Sequence, residues 1–109
     1  MKDHVRIYHE AFSYTPGVFI SCEITEGPAV DIHHIDPRKK GGDKSKDRIE
    51  ELMALIREKH NDYGDRKCFK SMLYRIHKAR MKAAGVVFDE AYVDAKIEKY
   101  LPWENEIKE

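Results

Sequence analysis

Between the turn signal Gly27-Pro28 and the next proline, Pro37, the chain reads Val30-Asp31-Ile32-His33-His34-Ile35, alternating apolar and polar residues with the period of a strand. Side chains of an extended chain point to opposite faces in turn, so Ile32 takes one face and Asp31 and His33 the other. His33 and His34 then diverge unless the chain bends. The polar stretch from Asp36 to Lys46, with Pro37 and Gly41-Gly42, offers a place for such a bend. Upstream, Val18-Phe19-Ile20 follows the turn signal Pro16-Gly17, and the two runs joined across Glu26-Gly27-Pro28 predict a hairpin. Val5-Arg6-Ile7-Tyr8 also alternates and predicts a further strand near the N-terminus.

Beyond the loop the period changes to that of helices. From about Arg48 to Asn61, Ile49, Leu52, Met53, Ile56 and His60 fall on one side, and Gly64 ends the segment. A second helix is expected over about 66–84, closed by Gly85, with Phe69, Met72, Leu73, Ile76 and Ala83 as its apolar stripe. Lys67, Arg75, Lys78 and Lys82 project roughly opposite. A third helix, over about 89–101, is capped by Asp89 and stopped by Pro102. The tail from Trp103 is expected to fray. At 109 residues the chain has the length of one domain and not of two, with an α+β fold.

Composition narrows the function classes. No apolar run approaches the ~20 residues of a spanning helix, and MKDHVRIYHE lacks the apolar core of a secretory signal. Two cysteines, Cys22 and Cys68, cannot build a disulfide scaffold, so a reducing cytoplasm is the expected setting. Neither a G-x-G-x-x-G, a Walker loop nor a G-x-S-x-G occurs, which removes support for nucleotide-dependent and acyl-transfer enzymes. The net charge of zero conceals an uneven spread. Seven basic and no acidic residues lie between Arg66 and Phe88, whereas Asp89 to Glu109 carries a net −4. A local basic surface suits a polyanion, and the same pattern is met by an ordinary solvated helix face.

Chemistry concentrates between Asp31 and His60. Folding the helix back on the hairpin brings His60 near the His33-His34 pair. One histidine would then join His60 on a metal and its neighbour would act as a base, since imidazole suits both tasks near pH 7. A surface histidine pair beside a packed core His60 has the same spacing.

The segment DIHHIDPRKKGGDKSKDRIEELMALIREKH resembles the HNH endonuclease motif, the ββα-metal finger of colicin-type DNases, homing enzymes and many phage nucleases. The family pattern is a strand ending in a His doublet, a Gly-containing loop, an Asn-Leu pair, and a helix ending in His nine positions after the Asn. Here that spacing is met by His33-His34, Gly41-Gly42, Glu51-Leu52 and His60, over about 22–63. The resemblance implies an α+β fold of N-terminal β-hairpins with a ββα-metal finger (core about 18–63), followed by two further α-helices. It implies one divalent metal cation on His33 and His60, with His34 as general base on the attacking water. Asp31 would orient an imidazole from outside the ligand set, as in colicin-type members, although an exposed strand residue fits its position too. The ion would stabilise charge on the phosphorane and the leaving 3′-oxyanion.

Two departures stand against the family pattern. Only Cys22 remains of the four cysteines that hold a structural zinc in many relatives, so no structural zinc is expected and Ile56 should pack where a cysteine would bind. Glu51 replaces the usual Asn, whose donor and acceptor pin the loop after the doublet; an ionised carboxylate only accepts. Glu51 would instead cap the helix, reach the metal as a catalytic residue, or mark a weakened enzyme. Asp36, Glu51 and Asp62 are candidates for a third ligand.

The expected partner is DNA, gripped through phosphates with little base specificity by Arg38, Lys39, Lys40, Lys67, Arg75, Lys78 and Lys82, with Arg75 and Lys78 foremost. Tyr63 and Tyr74 could stack on bases, but at helical spacing a tyrosine is more often half-buried packing. Two other readings remain open: a catalytically weakened or inactive HNH-like nucleic-acid-binding module, and a structural or interaction protein whose acidic C-terminal segment masks its own basic helix or binds a basic partner.

Overall fold

A computed structural model describes residues 3–14, 20–36, 47–64 and 66–106. The turn signal Pro16-Gly17 and the loop residues Pro37 to Lys46, with Arg38, Lys39, Lys40 and Gly41-Gly42, lie outside them.

The run Leu52-Met53-Ala54-Leu55 governs the architecture. All four side chains are fully buried, and a short apolar run enclosed on both faces is satisfied by a strand between two layers. Strand β2 (Leu52–Leu55) accordingly pairs antiparallel with β1 (Asp31–His34), with Asp31 opposite Leu55, Ile32 opposite Ala54, His33 opposite Met53 and His34 opposite Leu52. Met53 and Leu55 enter a core with Cys22, Ile35, Leu73, Tyr74, Met81, Val93 and Tyr100. Leu52 and Ala54 pack on the other side with Tyr8. This corrects the helix expected from Arg48. Ile49–Glu51 is a single 3-10 turn, β2 follows, and helix α2 covers only Arg57–Tyr63. The helical spacing of Ile49, Leu52, Met53 and Ile56 was coincident with a run buried all round.

The N-terminal strand is also corrected. Asp3–Ala11 forms helix α1. Four alternating residues are too few to fix a period, and helical neighbours decide the matter: Tyr8 stacks on Phe12 at 4.6 Å between ring centres, and Arg6 meets Glu10 at 3.4 Å. The turn at Gly27-Pro28 does close, with Cys22 N–H donating to Gly27 O at 2.7 Å and Ala29 N–H to Ile20 O at 2.8 Å. It does not supply the partner strand of β1, however. It lies along the other edge of β2, where Glu23 N–H donates to Ala54 O at 2.9 Å.

The later helices follow the expected boundaries. Helix α3 is Lys67–Ala83, ending before Gly85, whose φ of 70° suits a residue without a Cβ. Helix α4 is Glu90–Tyr100, and Asp89 accepts from Tyr92 N–H at 3.1 Å as its cap. The inward face of α3 is more polar than the apolar stripe suggested: Lys70, Ser71 and His77 are buried while Ala83 is exposed. Instead of fraying from Trp103, the chain continues as 3-10 turns over Leu101–Glu106, and Glu104 accepts from Ser71 and Arg75. The result is an α+β architecture in which a two-stranded sheet is enclosed by helices. No helix among the described residues is long and apolar enough to cross a membrane.

A buried polar group ties these layers together. The Glu23 carboxylate accepts from Tyr8 Oη at 2.6 Å, His77 Nδ1 at 2.7 Å and Ala54 N–H at 3.3 Å, while His77 Nε2 donates to Ile49 O at 2.6 Å. Burial by itself would lower the His77 pKa, but the facing Glu23 carboxylate outweighs it and the net direction is upward. A raised folded-state pKa stabilises the fold fully below the unfolded value of about 6.5, and that contribution disappears as pH rises through the folded pKa. Glu23→Ala strips the buried imidazolium of its partner and should cost about 3–5 kcal/mol in urea unfolding. Thermal melts from pH 6 upward should show a loss of stability in the wild type that His77→Gln lacks.

Candidate active site at the split histidine doublet

Strand alternation divides the doublet. Residues opposite one another across an antiparallel pair share a face, so Asp31 and His33 lie with Leu55 and Met53. Ile32 and His34 lie with Ala54 and Leu52, on the side of α1.

On the first face, α2 carries His60 back over β1. The His33 and His60 rings stand 4.5 Å apart between centres, tilted by 50°. His33 is buried, and its Nε2 donates to the Gly64 carbonyl at 2.8 Å. His60 Nδ1 donates to Asp31 Oδ2 at 2.9 Å, and Arg57 Nε reaches the same oxygen at 3.0 Å. Burial would raise the Asp31 pKa, but the His60 and Arg57 hydrogen bonds more than offset it and hold the carboxyl below the usual range. Each imidazole is therefore oriented through one nitrogen by an oxygen acceptor, the arrangement that steadies histidines on metals. The nitrogens that would address an ion are the other two, His33 Nδ1 and His60 Nε2.

On the second face, His34 Nε2 lies 2.8 Å from Asp47 Oδ1, and the His4 ring of α1 stands 4.9 Å from the His34 ring. With Asp47 accepting the Nε2 proton, the basic lone pair of His34 is on Nδ1. Sequence reasoning missed both His4 and Asp47. His4 stands just before the expected strand Val5–Tyr8, and Asp47 follows a polar stretch; neither carries a spacing signal.

Glu51 neither caps a helix nor reaches the histidines. It precedes a strand and not a helix, so it caps nothing, and its carboxylate is fully buried away from the histidines' ligand groups. Oε1 accepts from Asp36 N–H at 3.2 Å and from Tyr74 Oη at 2.6 Å, while Oε2 accepts from Tyr92 Oη. Its backbone carbonyl accepts from Ile35 N–H at 2.8 Å. Glu51 thus pins the chain immediately after the doublet using acceptors alone, and is a positioning residue. Asp36 is held by Lys96 and by Tyr100 Oη at 2.6 Å, and Asp62 is exposed on α2. Among the described residues neither joins His33 and His60 in a group of three donors. Cys22 and Cys68 are buried free thiols, and Ile56 packs against the main core. Tyr74 is fully buried and cannot stack on a base; Tyr63 lies edge-on to Phe69.

The basic face of α3 is engaged by the chain's own acids. Arg75 pairs with Glu104, Lys78 with Asp94 at 2.6 Å and Glu90 at 3.3 Å, and Lys82 with Glu90 at 2.8 Å. Arg75 and Lys78 are therefore not open phosphate contacts. Lys67 is exposed and sits over the Trp103 ring at 4.8 Å. No family model, curated protein or solved structure matches the chain, so function has to be read from this geometry.

Gly64 is where the site tolerates least. A Cβ there would stand 2.6 Å from His60 Cδ2 and from the His60 carbonyl, and 3.1 Å from His33 Cε1. Gly64→Ala should destabilise the fold by about 1–3 kcal/mol through overpacking. It should also weaken the ring-to-ring nuclear Overhauser contacts between His33 and His60, whereas Gly27→Ala, where a Cβ meets only ordinary contacts, should leave them intact.

Proposed function

We propose that the chain is a metal-dependent endonuclease of the HNH type, hydrolysing DNA phosphodiester bonds. The observation that carries this reading is the His33–His60 pair, with Gly64 O and Asp31 each holding one ring nitrogen. Its strand–strand–helix setting is the order that the resembled motif requires. The donor set fits one divalent ion: two imidazoles oriented from behind, with the remaining positions open to water and a phosphate oxygen. When bound there, such an ion supplies positive charge to the developing phosphorane and the leaving oxyanion.

The protein's own part is proton movement and positioning. His34 Nδ1 takes the proton of the attacking water, and Asp47 on Nε2 fixes the tautomer and steadies the resulting imidazolium. Because the doublet straddles β1, the scissile phosphate would lie across the end of the strand. Phosphate contacts are assigned to Lys67 and, from the sequence alone, to Arg38, Lys39 and Lys40, with Arg75, Lys78 and Lys82 available only if their carboxylate partners yield. Exposed ion pairs of that kind are worth about 0–1 kcal/mol each, so a polyanion can compete for them. The Glu90 and Glu104 pairs are the feature that favours the other reading, an interaction protein with a masked basic helix.

The test is nicking of supercoiled plasmid with Mg²⁺, Mn²⁺, Ni²⁺ or Zn²⁺ added separately. His34→Ala should lower the rate by about 10²–10⁴, and His60→Ala should abolish metal-dependent cleavage. Equal cleavage by wild type and His34→Ala would remove His34 from the mechanism. No cleavage with any metal, with no DNA retained at low salt, would leave the masked-helix reading.

A further inference from the structure

We propose that His4, His34 and Asp47 form a second metal site, for a late first-row divalent ion such as Zn²⁺, on the face of β1 opposite the His33–His60 pair. These residues come from the first turn of α1, the end of β1 and the segment just before the Ile49–Glu51 turn. One donor atom from each lies within 4.8 Å of the other two, and no other group of three such donors occurs among the described residues. One pair, His34 Nε2 and Asp47 Oδ1 at 2.8 Å, is already as near as two ligands of one ion. At ligand distances of about 2.0–2.2 Å, donors around an ion stand roughly 3–3.5 Å apart, and three donors within 4.8 Å of one another are close to that spacing.

Donor chemistry selects the ion. Two imidazoles and a carboxylate suit Zn²⁺, Co²⁺, Ni²⁺ or Cu²⁺, whereas Mg²⁺ and Ca²⁺ take oxygen shells. Three protein ligands leave positions for water, the composition of an exchangeable site rather than a closed structural one. Burial agrees with that. The His34 and Asp47 side chains keep 15% and 9% of their surface, enough to admit an ion and little enough to weaken competition from water. The site would also cross-link α1 to the sheet, since His4 is its only contribution from the N-terminal helix.

A consequence rests on the nuclease reading: His34 cannot both coordinate an ion here and serve as the base, so filling this site would silence the enzyme. Metal binding itself does not depend on turnover, and it is measured separately. Zn²⁺ titration by calorimetry in the His60→Ala background, which removes the first pair, should still show one ion per chain. Adding His4→Ala or the near-isosteric Asp47→Asn should weaken that binding at least tenfold. In the wild-type background, Zn²⁺ should raise the melting temperature, and His4→Ala should reduce the rise, with circular dichroism confirming that the variant is folded. Unchanged Zn²⁺ binding on adding His4→Ala and Asp47→Asn would overturn the site, as would loss of all binding in His60→Ala alone. Neither result bears on plasmid nicking, and failure to nick leaves these titrations standing.

Discussion

Burying a carboxylate costs several kcal/mol unless donors converge on it, and two of the buried carboxylates, Glu23 and Glu51, sit on either flank of β2. Glu23 gathers Tyr8 from α1, His77 from α3 and the Ala54 N–H of β2 itself. Glu51, one residue before β2 begins, gathers Tyr74 from α3, Tyr92 from α4 and the Asp36 N–H. Each carboxylate therefore stitches helices to the same four-residue strand. The tyrosines answer in kind: burial, then the facing carboxylates, push the Tyr8, Tyr74 and Tyr92 hydroxyls far above their ordinary pKa, so they remain donors. A two-stranded sheet is marginal alone. Here it is held because every layer has a hydrogen bond to lose if β2 moves.

That fixed strand sets the histidine geometry. With β2 apolar on both faces, its register with β1 has one solution, since a slip by one residue would turn Asp31 and His33 towards α1 and Ile32 towards α2. The doublet is split by the same constraint that buries Leu52 and Met53 on opposite sides. His33 then meets α2 and His60, while His34 meets Asp47 and His4. The division of labour in the proposed mechanism, with one histidine for an ion and one for a proton, follows from strand periodicity before any catalytic argument is made.

Much of this was legible in the sequence, and the failures have physical causes. Alternation over 30–35 placed β1 and the opposed faces of His33 and His34; His60 does lie beside His33, but on a short helix after a strand and not on the long helix whose spacing suggested it. Gly85 and Asp89 marked helix boundaries because each does a local job, one by its positive φ and one by capping. Leu52–Leu55 misled because a run buried on both faces carries no period, so the helix template matched by default. Val5–Tyr8 misled because four residues do not distinguish periods of 2 and 3.6. His4, Asp47 and the ion pairs of α3 with α4 depend on contacts between distant segments. No spacing rule records them.

The buried Glu51 side chain presents two oxygens, and both need donors. The chain provides them from the two C-terminal helices: Tyr74 on one oxygen, Tyr92 on the other, and the Lys96 ammonium at 3.7 Å. Lys96 and Tyr100 of α4 then hold Asp36, and Lys70 of α3 donates to the Ile35 carbonyl. The two residues that follow the doublet are thus fixed by α3 and α4 rather than by the strand–strand–helix unit. It follows that the C-terminal helices belong to the site's framework. Cutting them away would remove the donors that hold Glu51 and Asp36 and release the two residues that follow the doublet.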